Sequence, residues 1–323
     1  MGGAGMTSFV TGAYGVLGSW LVKALLDRGE QVVVLKRDAV QRAALILEGN
    51  EERCAVVHGD LTDAATMDRA IGEYEVDTVY HLAAQTIVGT ANRSPVSTFD
   101  SNIRGTWTLL EACRLHGVAR TVVAASDKAY GPTEDLPYRE THPLQPLYPY
   151  DVSKAATDLI SRSYWHTYEL PVAVTRFANI YGGGDLNPSR LVPEAVAAVL
   201  AGRAPVIRSD GSPERDFLYV EDAAAAYLAI ADALPGAGGE AFNAGGDEPH
   251  SVLEVVALLC QVAGADVEPD VQGSGTPHAE IDRQYVDSTK LRELTGWRPQ
   301  VALDEGLRRT VEWYRAHPEA LSP

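Results

Sequence analysis

The sequence predicts an α/β protein built on a Rossmann-type doubly wound parallel sheet, with a smaller C-terminal substrate-binding portion. Through the first half of the chain, short β-branched apolar runs alternate with helical patterns, as expected of buried parallel strands joined by helices. The first run leads directly into a turn rich in glycine, at residues 11–18. From about Ile180 the alternation loosens, and glycines follow at residues 182–184.

The predicted elements follow from these patterns in chain order. Ligands of open α/β sheets bind beyond the carboxyl ends of the strands, so we expect the site in the cleft between the sheet and the C-terminal portion. The expected strands are 8–10, 31–35, 54–58, 76–82, 121–125 and 172–177. The expected helices include one that ends near residue 28 and others at about 95–116, 149–168 and 190–201.

Composition and charge argue against several classes of protein. The chain has 323 residues, of which 46% are hydrophobic, and a net charge of −17, which argues against a nucleic-acid or anionic-membrane partner. Three separated cysteines and scattered histidines predict neither disulfides nor a metal site, and fit a reducing cytoplasm. We expect no signal peptide, because the N-terminus lacks a basic and an apolar region, and no membrane span.

A glycine-rich turn after the first strand predicts a dinucleotide site. Gly12, Gly15 and Gly18 would allow a tight turn, a close approach of a pyrophosphate and close helix packing. The intervening residues of this predicted cofactor-binding turn are Tyr14, Val16 and Leu17.

Residues that end the later strands extend this cofactor site. Lys36 and Arg37 stand where an acidic residue usually holds the adenosine ribose, so they favour NADP through its 2′-phosphate, with NAD left open. Asp60, with Leu61, ends the third strand, where a carboxylate can accept a hydrogen bond from the adenine amino group. Leu82, Ala83 and Ala84 end the fourth strand and would let the cofactor lie flat.

The stretch from Tyr150 to Lys154 carries the predicted chemistry. The two side chains are four residues apart, so on a helix they share one face. A neighbouring ammonium favours the phenolate of a tyrosine, which could remove a hydroxyl proton while hydride leaves the same carbon. The hydroxyl of Ser126, after the fifth predicted strand, could hold the same substrate oxygen.

Together these motifs resemble the extended short-chain dehydrogenase/reductase family over residues 7 to 315. The shared features are the glycine turn, Ser126, Tyr150 with Lys154, and further segments at residues 81–84, 100–102, 176–182, 215–222 and 296–299. That family consists mostly of sugar-nucleotide epimerases, dehydratases, decarboxylases and reductases. The resemblance implies a tightly bound and recycled NADP or NAD, no metal, a nucleotide-diphosphate hexose as substrate, and a homodimer formed by helices 95–116 and 149–168.

Asp127 and Lys128 favour one reaction of that family. The pair resembles the acid and base of CDP-glucose and UDP-GlcNAc 4,6-dehydratases, so by resemblance Asp127 would be the acid and Lys128 would assist or remove the C5 proton. The predicted function is an NDP-hexose 4,6-dehydratase, a lyase that oxidises C4, eliminates water across C5–C6 and returns hydride to C6. Two alternatives stay open: an NDP-sugar 4-epimerase, which needs only Tyr150, Lys154 and Ser126, and a non-catalytic dinucleotide-binding scaffold.

The resemblance also implies the division of the chain. Residues 1–180 would form the NAD(P)-binding Rossmann domain with returning segments from the C-terminal half, and residues 181–323 would mainly bind the sugar nucleotide. By the same resemblance, Arg215 and Arg283 match family positions that pair with the substrate pyrophosphate, and the arginine fork suits phosphate oxygens. The other predicted substrate-binding residues are Gln85, Asn179, Leu191 and Val206.

Overall fold

The computed structural model describes residues 5–275 and 281–321 of the chain. Its central sheet is formed by strands that are mostly buried along their whole length. These strands are β1 (Thr7–Thr11), β2 (Gln31–Lys36), β3 (Ala55–His58), β4 (Thr78–His81), β5 (Arg120–Ala124), β6 (Val172–Phe177) and β10 (Ala241–Ala244). The smaller sheets contain β7 (Asn179–Tyr181), β8 (Val206–Ile207), β9 (Glu214–Tyr219), β11 (Pro249–Ser251), β12 (Asp270–Val271) and β13 (Arg283–Gln284).

Helices pack on both faces of the central sheet. Their bounds are α1 (Val16–Asp27), α2 (Ala44–Leu47), α3 (Ala64–Glu73), α4 (Val88–Arg93), α5 (Pro95–Phe99), α6 (Gly105–His116), α7 (Pro149–Tyr168), α8 (Leu191–Leu200), α9 (Val220–Ala233), α10 (Val252–Val262), α11 (Thr289–Thr295) and α12 (Leu303–Ala316). Short 3-10 turns occupy Glu51–Arg53, Asp127–Tyr130 and Pro318–Leu321. Within the described residues, no helix combines the length and the apolar character needed to cross a membrane.

The order of the strands confirms the predicted doubly wound fold. Across the described part of the central sheet, the order is β10-β6-β5-β4-β1-β2-β3, and every neighbouring pair is parallel. The chain therefore winds outward from β1 in both directions, and the order reverses between β1 and β4. Phe9 of β1 sits in register with Val33 on one side and Val79 on the other, and all three side chains are buried.

Segments from the second half return to the central sheet. Strand β10 pairs with β6 at one edge, and α9 packs against α1 over the core that contains Leu21, Tyr227 and Ile230. A second core joins α8, α10 and α12 around β9. Strand β9 pairs with β7, β11 and β13. Its pairing with β13 brings residues near 284 beside the carboxyl ends of the central strands.

One predicted helix is divided in the structure. Residues 95–116 form α5 and α6 with a π-helical turn, Asp100–Arg104, between them. Such a turn inserts a residue into a helix and often occurs at functional sites. Here it contains Asn102, which is buried and faces the loop after β4.

Candidate active site

The glycine turn between β1 and α1 is held closed by its own backbone. A Cβ at Gly18 would stand 2.1 Å from the carbonyl oxygen of Gly12, and a Cβ at Gly12 would stand 2.7 Å from the nitrogen of Ala83. Gly12 also has a φ of +74°, a conformation that L side chains rarely adopt. These two glycines therefore let α1 and the end of β4 approach the turn.

Gly15 differs from the other two glycines because it faces solvent. A Cβ there would contact only the carbonyl oxygen of Gly12, at 3.4 Å. Gly15 is the N-cap of α1, where no side chain caps the helix and the first turn contains no acidic residue. The free amide groups and the positive end of the helix dipole favour an anion there, so this end fits the pyrophosphate of a nicotinamide dinucleotide. Tyr14, Val16 and Leu17 are half-buried beside it.

The two cations expected to hold a 2′-phosphate are engaged elsewhere. Lys36 Nζ donates to Glu51 Oε1 at 2.6 Å, and its side chain is only 15% exposed. Arg37 lies in solvent and pairs with Asp38 at 2.7 Å. The expectation that Lys36 and Arg37 form a ready cationic site for NADP is therefore not supported by their contacts.

The other predicted cofactor residues lie at the carboxyl edge of the sheet. Asp60 Oδ1 accepts hydrogen bonds from the backbone nitrogen and the hydroxyl of Thr62, and these bonds lower the pKa of Asp60. Leu61 points into the core and lies against Gly105, so its side chain serves packing. Leu82, Ala83 and Ala84 are half-buried after β4, beside the glycine turn.

Tyr150 and Lys154 lie on one buried face of a helix, as their spacing predicts. Helix α7 starts at Pro149, whose fixed φ suits the first turn, and it buries Tyr150 and Lys154 on the face towards β5. Lys154 Nζ donates to the carbonyl of Ala124 at 2.7 Å, and burial lowers the pKa of Lys154 to about 8.

The expectation that Lys154 favours the phenolate of Tyr150 is wrong for this structure. Burial raises the pKa of Tyr150 to about 12, opposed by the charge of Arg190 and a hydrogen bond with Ser126. The ammonium of Lys154 is instead taken up by a backbone carbonyl. Arg190, held by Asp185 at 2.9 Å, is the cation that acts on Tyr150.

Asp127 and Lys128 lie in the 3-10 turn that follows β5. Ser126 caps this turn by accepting from the nitrogen of Lys128 at 3.2 Å, and its hydroxyl donates to Asp127 Oδ1 at 3.1 Å. Asp127 is 3% exposed, and burial raises the pKa of its carboxyl. Lys128 Nζ donates to Gln284 Oε1 at 3.4 Å.

A buried arginine joins the two segments that carry these groups. Arg176 of β6 makes a bidentate ion pair with Asp158 of α7, at 2.7 and 3.1 Å. It also donates to the hydroxyl of Tyr130 at 3.0 Å, at the end of the turn that carries Asp127. Arg176 therefore fixes helix α7 relative to that turn.

The predicted substrate residues are spread along the cleft. The side chain of Asn102 holds the backbone of Gln85. It accepts a hydrogen bond from the backbone nitrogen of Gln85 at 2.7 Å and donates one to its backbone carbonyl at 3.1 Å. Asn179 donates to the carbonyl of Asp216 at 3.3 Å. Leu191 and Val206 are half-buried, at the start of α8 and in β8.

The two predicted phosphate-binding arginines differ in exposure. Arg215 is buried and donates to the carbonyls of Glu214 and Asp282, each at 2.9 Å. Arg283 is exposed and forms an ion pair with Glu214 at 2.7 Å. Arg215 is therefore withdrawn from solvent, whereas Arg283 is not.

Three groups near the candidate chemistry were not among the predicted site residues. Arg190 acts on Tyr150, Gln284 contacts Lys128, and Asn102 donates to Ser153 at 2.9 Å. No local spacing connects these residues to the Tyr150 helix, because Gln284 lies more than 130 positions away and reaches the site only through the pairing of β13 with β9. In the part of the chain that the structure describes, no group of three metal-ligating side chains occurs.

Comparisons with known proteins identify relatives of this chain by sequence and by fold. A family profile described as GDP-mannose 4,6 dehydratase matches residues 9–310. The chain is 33% identical, over 96% of its length, to dTDP-glucose 4,6-dehydratase 1 of Escherichia coli (strain K12), and the match covers 92% of that protein.

Solved structures place the same fold in two kinds of enzyme. The structure of DesIV, a dTDP-glucose 4,6-dehydratase from Streptomyces venezuelae with NAD bound, is 32% identical with a TM-score of 0.88, covering 98% of this chain and all of that one. The UDP-glucose 4-epimerase of Thermus thermophilus in complex with NAD is 33% identical with a TM-score of 0.84, covering 96% of this chain and 99% of that one. Both related structures contain NAD, so the comparisons support NAD or NADP but not the predicted preference for NADP.

Proposed function

Because the chain belongs to the extended short-chain dehydrogenase/reductase family, in its group of nucleotide-sugar 4,6-dehydratases and epimerases, we propose that it is an NDP-hexose 4,6-dehydratase. The substrate is oxidised at C4, loses water across C5–C6 and is reduced at C6. The product is an NDP-4-keto-6-deoxyhexose, which differs from the substrate by one water. The cofactor is recycled, so the reaction is that of a lyase.

The observation that carries this proposal is the pairing of Asp127 with Lys128 beside Ser126 and Tyr150. Elimination needs an acid for the departing C6 hydroxyl and a base for the C5 hydrogen. Asp127 is buried with a raised pKa, so its carboxyl holds a proton more readily than an exposed one and can donate it to the leaving oxygen. Lys128 adjoins Asp127 and is half-buried, and we propose that it assists the removal of the C5 hydrogen or removes it directly.

The residues around Tyr150 would carry out the oxidation at C4. A bound nicotinamide would take hydride from C4 and give it back at C6. Tyr150 accepts the proton of the C4 hydroxyl, and Ser126 orients the same oxygen by a hydrogen bond. Arg190 supplies the positive charge that stabilises the phenolate of Tyr150 when the proton is transferred, and Lys154, one turn further along the same helix, is held by the carbonyl of Ala124.

We propose that residues 1–180 mainly bind the dinucleotide and residues 181–323 mainly bind the sugar nucleotide. Arg215 and Asn179 would hold the diphosphate, because Asn179 lies in β7 and Arg215 lies in β9, near the carboxyl edge of the sheet. Arg283 could join them only by releasing Glu214. Leu191 and Val206 would line the nucleobase, and Gln85 would order the loop over the sugar through its bonds to Asn102.

A 4-epimerase is the second candidate, because an epimerase of known structure shares 33% of its residues with this chain over 99% of that enzyme's length. Epimerisation needs only Tyr150, Lys154, Ser126 and a sugar that can turn within the site. It leaves Asp127 and Lys128 without a chemical role, which is why we favour elimination.

Mass spectrometry in deuterated water tests the proposed reaction. The purified protein is incubated separately with CDP-, dTDP-, UDP- and GDP-linked glucose and with GDP-mannose. Loss of one water with one solvent deuteron gained at C5 is the expected result, and the substrate consumed identifies the nucleobase. Unchanged mass with a new chromatographic peak would make the protein an epimerase, and no conversion of any substrate would favour a non-catalytic scaffold.

We also propose that the protein is a homodimer formed through α5, α6 and α7. These helices expose apolar side chains together: Val96 is 78% exposed, Leu159 57% and Trp107 45%. Burying such a face against a second copy removes it from water. Sedimentation equilibrium should give twice the chain mass for the wild type, and Leu159→Glu should lower the measured mass towards that of the monomer. A monomeric wild type would overturn the proposed dimer.

The cytoplasmic location stays a prediction.

A further inference from the structure

A cluster of three side chains joins the turn after β1, the end of β2 and the 3-10 turn before β3. Glu51, from the 3-10 turn before β3, accepts from Lys36 Nζ at 2.6 Å and from the hydroxyl of Tyr14 at 2.5 Å, both on Oε1. Lys36 Nζ also lies 5.1 Å from the centre of the Tyr14 ring. The cluster thus joins the glycine turn to the last residue of β2.

The cluster is substantially withdrawn from water. The side chains of Lys36 and Glu51 are 15% and 24% exposed. The hydrogen bonds from Lys36 and Tyr14 lower the pKa of Glu51, so it is a carboxylate at neutral pH. Lys36 therefore has its charge matched by a fixed anion rather than by solvent, and such a pair is screened less than a surface pair.

Lys36 of this cluster stands at the end of β2, where dinucleotide-binding folds recognise the adenosine ribose. In these folds an acidic side chain at the end of β2 takes the ribose hydroxyls, whereas a free cation there accommodates a 2′-phosphate. In this chain β2 ends in a lysine, and the carboxylate comes from residue 51 instead. Arg37, the other cation, is exposed and paired with Asp38, and its charge also acts on Asp60.

We propose that Glu51 selects NAD over NADP by neutralising Lys36 and by presenting a carboxylate at the ribose end of the site. A 2′-phosphate would meet the Glu51 carboxylate, which is already held by hydrogen bonds. The phosphate could pair with Lys36 only by displacing that carboxylate. NAD lacks that phosphate and meets no such repulsion. This inference goes beyond the proposed function, since it concerns the dinucleotide alone and holds for a dehydratase, an epimerase or a scaffold.

Equilibrium binding tests the role of Glu51 without any sugar substrate. The dinucleotide that co-purifies with the wild-type protein is identified by mass spectrometry, and the Kd values of NAD and NADP are measured on protein freed of it. The wild type should contain NAD and bind it about tenfold or more tightly than NADP, the size expected for one unit charge acting across a partly buried site.

Glu51→Gln removes the charge while retaining an acceptor for Lys36 and Tyr14. The ratio of the NADP Kd to the NAD Kd should fall about tenfold, mainly through tighter NADP. Glu52→Gln is the matched control, because it removes the same charge from the adjacent exposed residue and should leave the ratio unchanged. Adding Lys36→Met to Glu51→Gln should abolish the gain for NADP, because the cation that attracts the 2′-phosphate is then absent.

Two results would overturn the proposal. One is a wild-type protein that binds NADP as tightly as NAD or contains NADP when purified. This measurement needs only the wild type, so it is valid even if the variants fail to fold. The other is a Glu51→Gln protein, folded by circular dichroism, whose Kd ratio equals that of Glu52→Gln. Failure of the sugar-nucleotide assays would leave both measurements valid, so the two proposals are tested separately.

Discussion

Lys128 Nζ donates a hydrogen bond to Gln284 Oε1 at 3.4 Å, which links the candidate acid–base pair to strand β13 near the other end of the chain. Burial raises the pKa of Asp127, and the side-chain amide of Gln284, which is 1% exposed, opposes that increase. Among the described residues, neither Gln284 Nε2 nor Asp127 Oδ2 has a hydrogen-bond partner of good geometry. Both atoms are thus available to each other or to a substrate hydroxyl.

Replacing Gln284 by leucine should slow elimination more than oxidation. The change removes the acceptor of Lys128 and the donor that opposes the raised pKa of Asp127. We expect the formation of 4-keto-6-deoxy product to fall about 10–100-fold, within the range for a misplaced general acid or base. Single-turnover absorbance of the reduced nicotinamide should show that hydride still leaves C4.

The control for this variant is Gln261→Leu, on the exposed side of α10, which should leave both steps unchanged. Equal slowing of C4 oxidation and product formation in Gln284→Leu would mean that Gln284 holds the fold of the cleft rather than the acid–base pair.

Tyr150→Phe should remove turnover in either candidate reaction. The change deletes the proton acceptor for the C4 hydroxyl while keeping the ring that α7 buries. We expect kcat to fall about 10²–10⁴-fold, the usual contribution of a general base. Tyr74→Phe, at the end of α3, is the matched control and should retain full activity. Unchanged turnover in Tyr150→Phe would exclude the proposed mechanism.

The pH dependence of C4 oxidation should follow the ionisation of Tyr150. Burial raises the pKa of Tyr150 to about 12, so only a small fraction is phenolate at neutral pH. Since the phenolate is the base, the single-turnover rate of reduced nicotinamide formation should increase as pH rises from about 6 to 9. A rate that decreases with pH over this range would contradict the role of Tyr150 as the base.

Arg176→Met should lower stability strongly, because it leaves Asp158 buried without its bidentate partner. Breaking such a pair costs about 3–5 kcal/mol, since a buried charge is left uncompensated. Urea unfolding measures the loss. The control is Arg162→Met: Arg162 is 36% exposed and lies 3.8 Å from the same carboxylate, so we expect a loss below about 1 kcal/mol. Equal losses in the two variants would show that the Asp158 pair contributes little.

The sequence was sufficient for the parts of the fold and site that depend on local patterns. Continuous apolar runs predicted the described strands of the central sheet except β10, and the four-residue spacing of Tyr150 and Lys154 placed both on one face of α7. The contact between Glu51 and Lys36 could not be predicted, because it depends on how the loop before β3 packs beside β2. Arg190 and Gln284 reach Tyr150 and Lys128 from distant segments, so no spacing in the sequence connects them.

The pKa of Tyr150 shows the same limit in electrostatics. A cation four residues away predicted a lower pKa, but Lys154 is bonded to the carbonyl of Ala124, and burial dominates the result. Desolvation depends on the complete packing around a side chain, which no neighbouring residue in the sequence encodes.

Asp216 should make the folded protein less stable as pH rises. Asp216 is a buried residue of β9, and burial raises its pKa to about 7, against hydrogen bonds from the backbone of Gly246 and Val286. Between about pH 4 and 7 the folded protein holds a proton that the unfolded chain has released, so the stability this proton confers is lost as pH rises through 7.

Asp216→Asn should therefore stabilise the protein at pH 8 but not at pH 4.5. An asparagine still accepts from Gly246 and carries no charge that burial penalises. We expect the free energy of unfolding in urea to rise by about 1–3 kcal/mol at pH 8, within the limit set by a carboxyl pKa raised to about 7. Asp266→Asn, at an exposed position, should run parallel to the wild type at both pH values. If Asp216→Asn changes stability equally at pH 4.5 and 8, Asp216 ionises in the folded protein as it does in the unfolded chain, and the backbone donors outweigh its burial.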